Sequence, residues 1–213
     1  MKITREQFNA PSPSHPRISH ECGFALAEFL ISTVIVLALS AGVFSMLTDV
    51  QRTSGYQTEV LNVMENTRVA MSTLERYIVQ AGNDPRATGF VPITITGTSQ
   101  VQLCTDLTGS AGGSQGDPDG DILDAEEDVT VQYNENGQTI ELVAGDDPAQ
   151  TVARYIAGLT LEYFDKNGAT TAVATDVSKI RVTVTGTSNL RDPRTNKPFG
   201  YVLTSDFSLP NRG

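Results

Sequence analysis

The sequence predicts an α+β fold in which one long N-terminal helix packs on a C-terminal antiparallel β-sheet. Three observations predict it. Residues 24–47 form an apolar run with one charged residue, Glu28, and no proline. Residues 48–82 continue with apolar residues close to the 3.6-residue period of an amphipathic helix. From residue 90 onward, short segments rich in β-branched residues alternate with turn sequences, which is typical of strands.

The first 23 residues differ from all that follows. They carry Lys2, Arg5 and Arg17, three prolines and no apolar periodicity. An ordinary secretory signal has its own apolar region, which this segment lacks, and the apolar run behind it is too long to serve as one. Lys and Arg close to a membrane span favour the cytoplasmic side. We therefore expect residues 1–23 to be a cytoplasmic leader and the bulk of the chain to lie outside the cytoplasm.

The apolar run at residues 24–47 is long enough to cross a membrane as a helix. At about 1.5 Å per residue it spans about 36 Å, against about 30 Å for the hydrocarbon core of a bilayer. A charge at that depth costs on the order of 3 kcal/mol or more. The single acid, Glu28, therefore requires an explanation.

The amphipathic helix predicted at 48–82 has two distinct faces. Gly55 is expected to weaken it locally, and Gly82 followed by Pro85 is expected to end it. The charged face is expected to be solvated or held in weak surface ion pairs. The apolar face consists of Val60, Val63, Met64, Met71, Leu74, Ile78 and Ala81, and the charged face of Arg52, Glu59, Glu65, Arg68, Glu75 and Arg76.

Residues 83–213 are predicted to form one β-rich extracytoplasmic domain. Asn136-Gly137, between two predicted strands, is expected to form a hairpin turn, and residues 165–168 a second turn. No internal repeat or further domain boundary is apparent. The predicted strands are Val91–Thr96, Val101–Thr105, Val129–Tyr133, Thr139–Val143, Thr151–Ile156, Leu159–Phe164, Ile180–Thr185 and Tyr201–Leu209.

An acidic loop at residues 109–128 interrupts the strands, and seven acids crowd into 117–128. Their spacing partly matches a calcium-binding loop. However, Ile122 stands where such loops have glycine, and a strand follows instead of a helix. Two interpretations stay open: an irregular Ca²⁺ loop, the one cofactor that the sequence suggests, or a solvated acidic loop. The candidate ligands are Asp117, Asp119, Asp121, Asp124 and Asp128.

Composition excludes some classes of function. The net charge of −10 disfavours nucleic acid as a partner, because nothing would neutralise the phosphates. The chain has two histidines, His15 and His20, and two cysteines, Cys22 and Cys104. We expect Cys104 to pack within a strand, as buried free cysteines do, with a redox or intersubunit role as the alternative.

The segment GFALAE, residues 23–28, has the form G-F-x-x-x-E before an apolar helix, and it resembles the type IV prepilin signature of pilins and type II secretion pseudopilins. The resemblance implies cleavage between Gly23 and Phe24 by a prepilin peptidase, N-methylation of Phe24, and a role for Glu28 in subunit register. In a filament, the amino terminus of a neighbouring subunit would pair with this carboxylate. The chain departs from the pattern at Cys22, where a basic residue is more usual, and at Ser45, where major pilins often have proline.

Further segments resemble one branch of this superfamily, the minor pilins and minor pseudopilins. The sequence RYIVQAGNDPRATG, residues 76–89, resembles the R-x-I-x-x-A-G-x-D-P segment of minor pilin W proteins, and later segments resemble the same group and minor pseudopilin J. A type IV pilin-like fold follows from this resemblance. So does a minor subunit that helps to initiate or cap a filament. Its implied partners are the prepilin peptidase, other minor and major pilins or pseudopilins, and an inner-membrane assembly platform.

Two other classes of function stay under consideration. One is an adhesive or binding module at a pilus tip. The other is a membrane-anchored enzyme, which is disfavoured because cleavage would remove both histidines and Cys22, leaving no His-dependent nucleophile arrangement. The sequence does not distinguish a type IV pilus from a type II secretion system.

Overall fold

The structure is a computed structural model that describes residues 21–107, 118–124 and 127–211. The chain divides after Val50 into two compact units, which are described separately. The predicted leader at 1–23 lies outside the described residues except for its last three, whose backbone is helical.

Helix α1 spans Glu21–Gln80 without interruption. The helix therefore continues through Gly42 and Gly55, so the weakening expected at Gly55 does not break it. In the first unit, residues 25–50 are exposed apart from Ser40, which is half-buried.

In the second unit, residues 51–80 of α1 pack against the β-structure. The predicted apolar face is confirmed: Val63, Met71, Leu74 and Ile78 are buried. Val60 and Met64, at its edge, are half-buried. The helix ends before Gly82, whose φ of 78° is the left-handed conformation expected of a C-cap glycine.

In the described residues, eight strands form two antiparallel sheets, where one sheet was predicted. The five-stranded sheet has the order β1-β2-β3-β4-β5 and the three-stranded sheet the order β6-β7-β8, so every strand pairs with a chain neighbour. The bounds are β1 Ile93–Ile95, β2 Gln100–Cys104, β3 Asp128–Asn134, β4 Thr139–Ala144, β5 Gln150–Ala153, β6 Ile156–Phe164, β7 Lys179–Arg191 and β8 Pro198–Ser208.

The strand predicted at Thr151–Ile156 was wrong in extent. β5 ends at Ala153, and Ile156 already belongs to β6 in the other sheet. Tyr155 lies between them with a φ of 62°, a conformation that a strand cannot include. The chain therefore leaves one sheet and enters the other at this residue.

The hairpin turn predicted at Asn136-Gly137 is confirmed, because it joins the antiparallel strands β3 and β4. Its connection is four residues long, 135–138, and Gln138 rather than Gly137 has a positive φ, at 51°. The Asn134 side chain accepts a hydrogen bond from Gly137 N at 3.1 Å, which stabilises this turn. The second predicted turn is confirmed, because Asp165 accepts bonds from the backbone N–H groups of Asn167 and Ala169.

One continuous hydrophobic core joins the helix and both sheets. The alternating buried residues of β7, Ile180, Val182 and Val184, form its centre on the three-stranded sheet. At Gly186, further along β7, the helix comes so close that an added Cβ would lie 2.8 Å from Val63 Cγ1 and would clash with Thr67 Oγ1. A glycine is therefore required where α1 crosses β7.

Candidate functional site

The apolar part of α1 presents its side chains outward instead of burying them. Phe29 is 71% exposed and Met46 70% exposed. The helix contains a window with a mean hydropathy of 2.3, of which no part is buried, and it is long and apolar enough to cross a membrane. Its threonines satisfy their own hydroxyls, since Thr33 and Thr48 each donate to the carbonyl four residues earlier, at 2.8 and 2.9 Å.

Glu28 lies on this apolar segment and is exposed. Large exposed hydrophobic side chains flank it, including Leu26, Phe29 and Ile31. The predicted cleavage position, between Gly23 and Phe24, lies at the start of α1. The structure thus places the predicted processing and assembly residues within one turn and a half of the same helix.

The charged face of α1 is not wholly solvated, which corrects the prediction for Glu59. Its Oε1 accepts hydrogen bonds from the backbone N–H groups of Asn189 and Leu190, the latter at 2.9 Å. Asn66 makes a similar link, accepting from Arg154 N at 3.1 Å. These acceptors attach the helix to the outer part of β7 and to the β5–β6 connection, in addition to the apolar contacts.

The segment that closes the helix, residues 76–89, is held by its own polar side chains. Asp84 accepts from the backbone N–H groups of Thr88 at 3.0 Å and Gly89 at 2.7 Å. These bonds, first that of Gly89, lower the pKa of Asp84. Asn83 exchanges two bonds with the backbone of Asp106, at 2.8 and 2.9 Å. The segment therefore supports the start of the acidic connection between β2 and β3.

The five predicted metal ligands do not lie together as far as the described residues extend. Asp117 lies outside those residues. Asp119 and Asp121 each accept a bond from the backbone N–H two residues later, and Asp124 is half-buried. Asp128 belongs to β3, and both its carboxylate oxygens accept from Gln102 Nε2, at 2.8 and 2.9 Å.

In the described ranges, no three His, Cys, Asp or Glu side chains are grouped closely enough to hold a metal ion. Calcium binding by the predicted set stays a prediction.

Two other acids of this region, which the sequence reasoning did not select, are fully buried. Asp106 follows β2 and Glu127 precedes β3, and both are 0% exposed. Their positions gave a signal that could have found them: they are the first and last acids of the connection, and each lies within two residues of a strand that has buried residues.

Cys104 is a buried free cysteine at the end of β2, as predicted from its strand-like surroundings. Burial, and secondarily the charge of Asp128, raises the pKa of its thiol to about 11. The thiolate that redox or exchange chemistry requires is therefore scarce near neutral pH. This setting favours the packing role over the redox or intersubunit alternative.

Comparison with known proteins adds no assignment: no protein-family model matches the chain, and no curated protein is significantly similar to it.

Proposed function

We propose that this protein is a minor pilin or pseudopilin: a single-pass subunit of the bacterial inner membrane that is processed by prepilin peptidase and helps to initiate or cap a filament. The observation that carries the proposal is the exposed apolar segment of α1 with a single exposed carboxylate near its start. A helix used only as a membrane anchor has no need of Glu28, and would be more stable in lipid without it.

Filament assembly would explain both the exposed apolar segment of α1 and the presence of Glu28 within it. Burying the exposed apolar side chains of residues 25–50 against equivalent helices would remove them from lipid. Inside such a bundle an ionised carboxylate requires a cationic partner. The amino terminus of Phe24 on a neighbouring subunit, created by cleavage after Gly23, would supply that charge. A pair of this kind fixes the axial position of one helix against the next, because a slipped register leaves both charges unpaired.

A structural role for the extracytoplasmic residues is consistent with this reading. Residues 51–80 of α1 are bound to both sheets by the hydrophobic core and by Glu59 and Asn66. A β-rich part that is held to residues 51–80 by both apolar and polar contacts is suited to a structural role.

The proposal is tested by deleting the gene in its host and restoring it with variants. Deletion should reduce surface filaments, or secretion if the host assembles a secretion pseudopilus. Wild type should restore assembly, and Glu28→Gln, which removes the charge but keeps the shape, should restore it poorly. Glu65→Gln is the matched control, because Glu65 is an exposed acid of the same helix outside the apolar segment.

Normal filament numbers together with normal secretion in the deletion strain would overturn the proposal, and normal filaments with lost attachment would favour the adhesive alternative. Processing is tested separately by the intact mass of the protein purified from its host. The proposal requires a chain that lacks residues 1–23 and carries one methyl group. Retention of His15 and His20 contradicts it.

A further inference from the structure

Among its described residues, the connection between β2 and β3 has two fully buried carboxylates that the filament proposal does not use. Asp106 and Glu127 are each 0% exposed, and the neighbouring Thr105 is 4% exposed. Buried ionisable groups are costly unless hydrogen bonds or an opposite charge satisfy them. The partners of each group therefore indicate what the site requires.

The Asp106 carboxylate is only half satisfied. Its Oδ2 accepts from Gly120 N at 3.1 Å, so the side chain is directed toward the described part of the acidic loop, residues 118–124. Its Oδ1 is buried and has no hydrogen-bond partner. Among the described residues, no Lys or Arg nitrogen lies within 4 Å of this carboxylate, and the three ion pairs found all lie on the three-stranded sheet.

Glu127 accepts hydrogen bonds from the residues on both sides of Asp106, Thr105 and Leu107. Its backbone carbonyl accepts from Thr105 N at 2.9 Å. Its side-chain Oε1 accepts from Leu107 N at 2.8 Å. A second acid is thus held beside Asp106, and the buried hydroxyl of Thr105, which also has no hydrogen-bond partner, lies on the adjacent residue.

The backbone around these oxygens is fixed by packing. Gly120 has a φ of 99°, and an added Cβ would lie 3.0 Å from Thr88 Cγ2 and 3.2 Å from Arg86 Cδ. Thr88 is in turn held by Asp84. Gly120, which donates to Asp106, therefore packs against the turn at residues 86–89 that follows α1. Arg86 is the nearby cationic side chain, but it is exposed and forms no ion pair with Asp106.

We propose that Asp106 and Glu127 form a calcium site at the base of the acidic connection, with Asp106 Oδ1 and Thr105 Oγ1 as oxygens that the ion would satisfy. A hard divalent cation would satisfy the buried Asp106 Oδ1, and Ca²⁺ accepts irregular sets of carboxylate, hydroxyl and backbone oxygens. Mg²⁺ demands near-octahedral geometry and gives up its water reluctantly. This site differs from the set predicted from spacing, since it needs neither Asp117 nor Asp128.

The test uses the full chain in detergent. Its melting temperature is measured in EDTA, in about 2 mM CaCl₂ and in the same concentration of MgCl₂, because extracellular calcium modules bind at about 0.1–1 mM. Calcium should raise the melting temperature by about 3–6 °C through ligand linkage, and magnesium should raise it less. Asp106→Asn should abolish the calcium effect. Asp146→Asn, an exposed acid in the β4–β5 turn, should preserve it.

Three results would overturn the proposal. The first is equal melting of the wild type in EDTA and in calcium. The second is a full calcium effect in Asp106→Asn together with its loss in Asp117→Asn, which would restore the ligand set predicted from spacing. If Asp106→Asn does not fold, calorimetric titration of the wild type decides, and the absence of calcium binding up to about 2 mM is the third such result.

Discussion

At the scale of single residues, Asp206 on β8 has the most strongly perturbed carboxylate of the three-stranded sheet. Arg181 on β7 donates to it through Nε at 2.7 Å and Nη2 at 3.0 Å, and Lys179 Nζ lies 3.3 Å away. The hydrogen bonds of Arg181, followed by those of Lys179, lower the pKa of Asp206 to about 2. Both cations also lie over the ring of Phe164, so the cluster is held in one geometry.

Acid should therefore weaken the fold through Asp206. A carboxyl group whose folded-state pKa lies below its unfolded value stabilises the fold above the unfolded pKa. That contribution is lost as pH falls from about 4 toward 2. In urea unfolding between pH 5 and 2, the stability of the wild type should fall more steeply than that of Asp206→Asn. The exposed-acid variant Asp146→Asn should follow the wild type, and parallel curves for wild type and Asp206→Asn would contradict the prediction.

Residue-scale prediction from sequence succeeded where the signal was local. Cys104 lies in a strand-like run, and Gly82 follows the last helical turn, so their environments follow from their neighbours. Glu59 and Asp106 were missed for the opposite reason. Glu59 bonds to residues 130 positions away, and the burial of Asp106 depends on how the connection folds back on the turn at 86–89. The contact of Glu59 leaves no trace in nearby sequence, and the local signal for Asp106 is its position as the first acid after β2.

At the scale of elements, the crossing of α1 and β7 depends on the absence of a side chain at Gly186. Gly186→Ala would place a methyl group against Val63 and Thr67. Overpacking of this kind costs about 1–3 kcal/mol. We expect that loss in the free energy of unfolding measured by denaturant titration. The matched control is Gly158→Ala on β6, where nothing lies within 4 Å of the added methyl group.

A double variant separates packing from strand propensity at this crossing. Thr67→Ala removes the closest side-chain atom, so Gly186→Ala should cost less in that background. Equal costs in the two backgrounds would show that the close approach does not determine the effect.

Element types were predictable because helix and strand periods are properties of contiguous residues. All eight strands lie where alternation and turn sequences indicated them, and all pairings are antiparallel. The division into two sheets was not predictable, because it depends on the positive φ of Tyr155, a residue type that gives no warning of that conformation. Likewise, β7 ends later and β8 begins earlier than predicted, because the two strands continue to pair with each other beyond the apolar alternation.

At the scale of the whole molecule, the apolar segment of α1 should hold the protein in membranes. Alkaline carbonate extraction of cells expressing the full chain should leave it in the membrane pellet. The double variant Val36→Arg, Leu39→Arg should be largely released, because each arginine costs about 2.5–3.5 kcal/mol at the centre of a span.

The matched control is Leu190→Arg, Val202→Arg. It makes the same change in composition at exposed apolar residues outside the segment, and it should stay in the pellet. Release of the wild type by carbonate would contradict a membrane-spanning role.

Of the candidate site, the sequence predicted the helix segment more fully than the acidic connection. Length and apolar composition suffice to define a membrane span. Gly23, Phe24 and Glu28 lie within one short stretch of sequence, so their motif can be recognised without knowledge of the fold. Ligands drawn from a loop are different, since their positions depend on backbone direction. Asp128 fits the spacing of a calcium loop, but its carboxylate is bound to Gln102 across the β2–β3 pair.

The meander order of both sheets has a kinetic consequence. Most strand pairings close short loops between chain neighbours, and topologies rich in local contacts fold quickly. The β2–β3 pairing is the exception, because it must first close residues 105–127, and longer loops carry a larger closure entropy. We therefore expect β3–β4 and β6–β7–β8 to form early during refolding, and docking of β2 on β3 to complete the five-stranded sheet late.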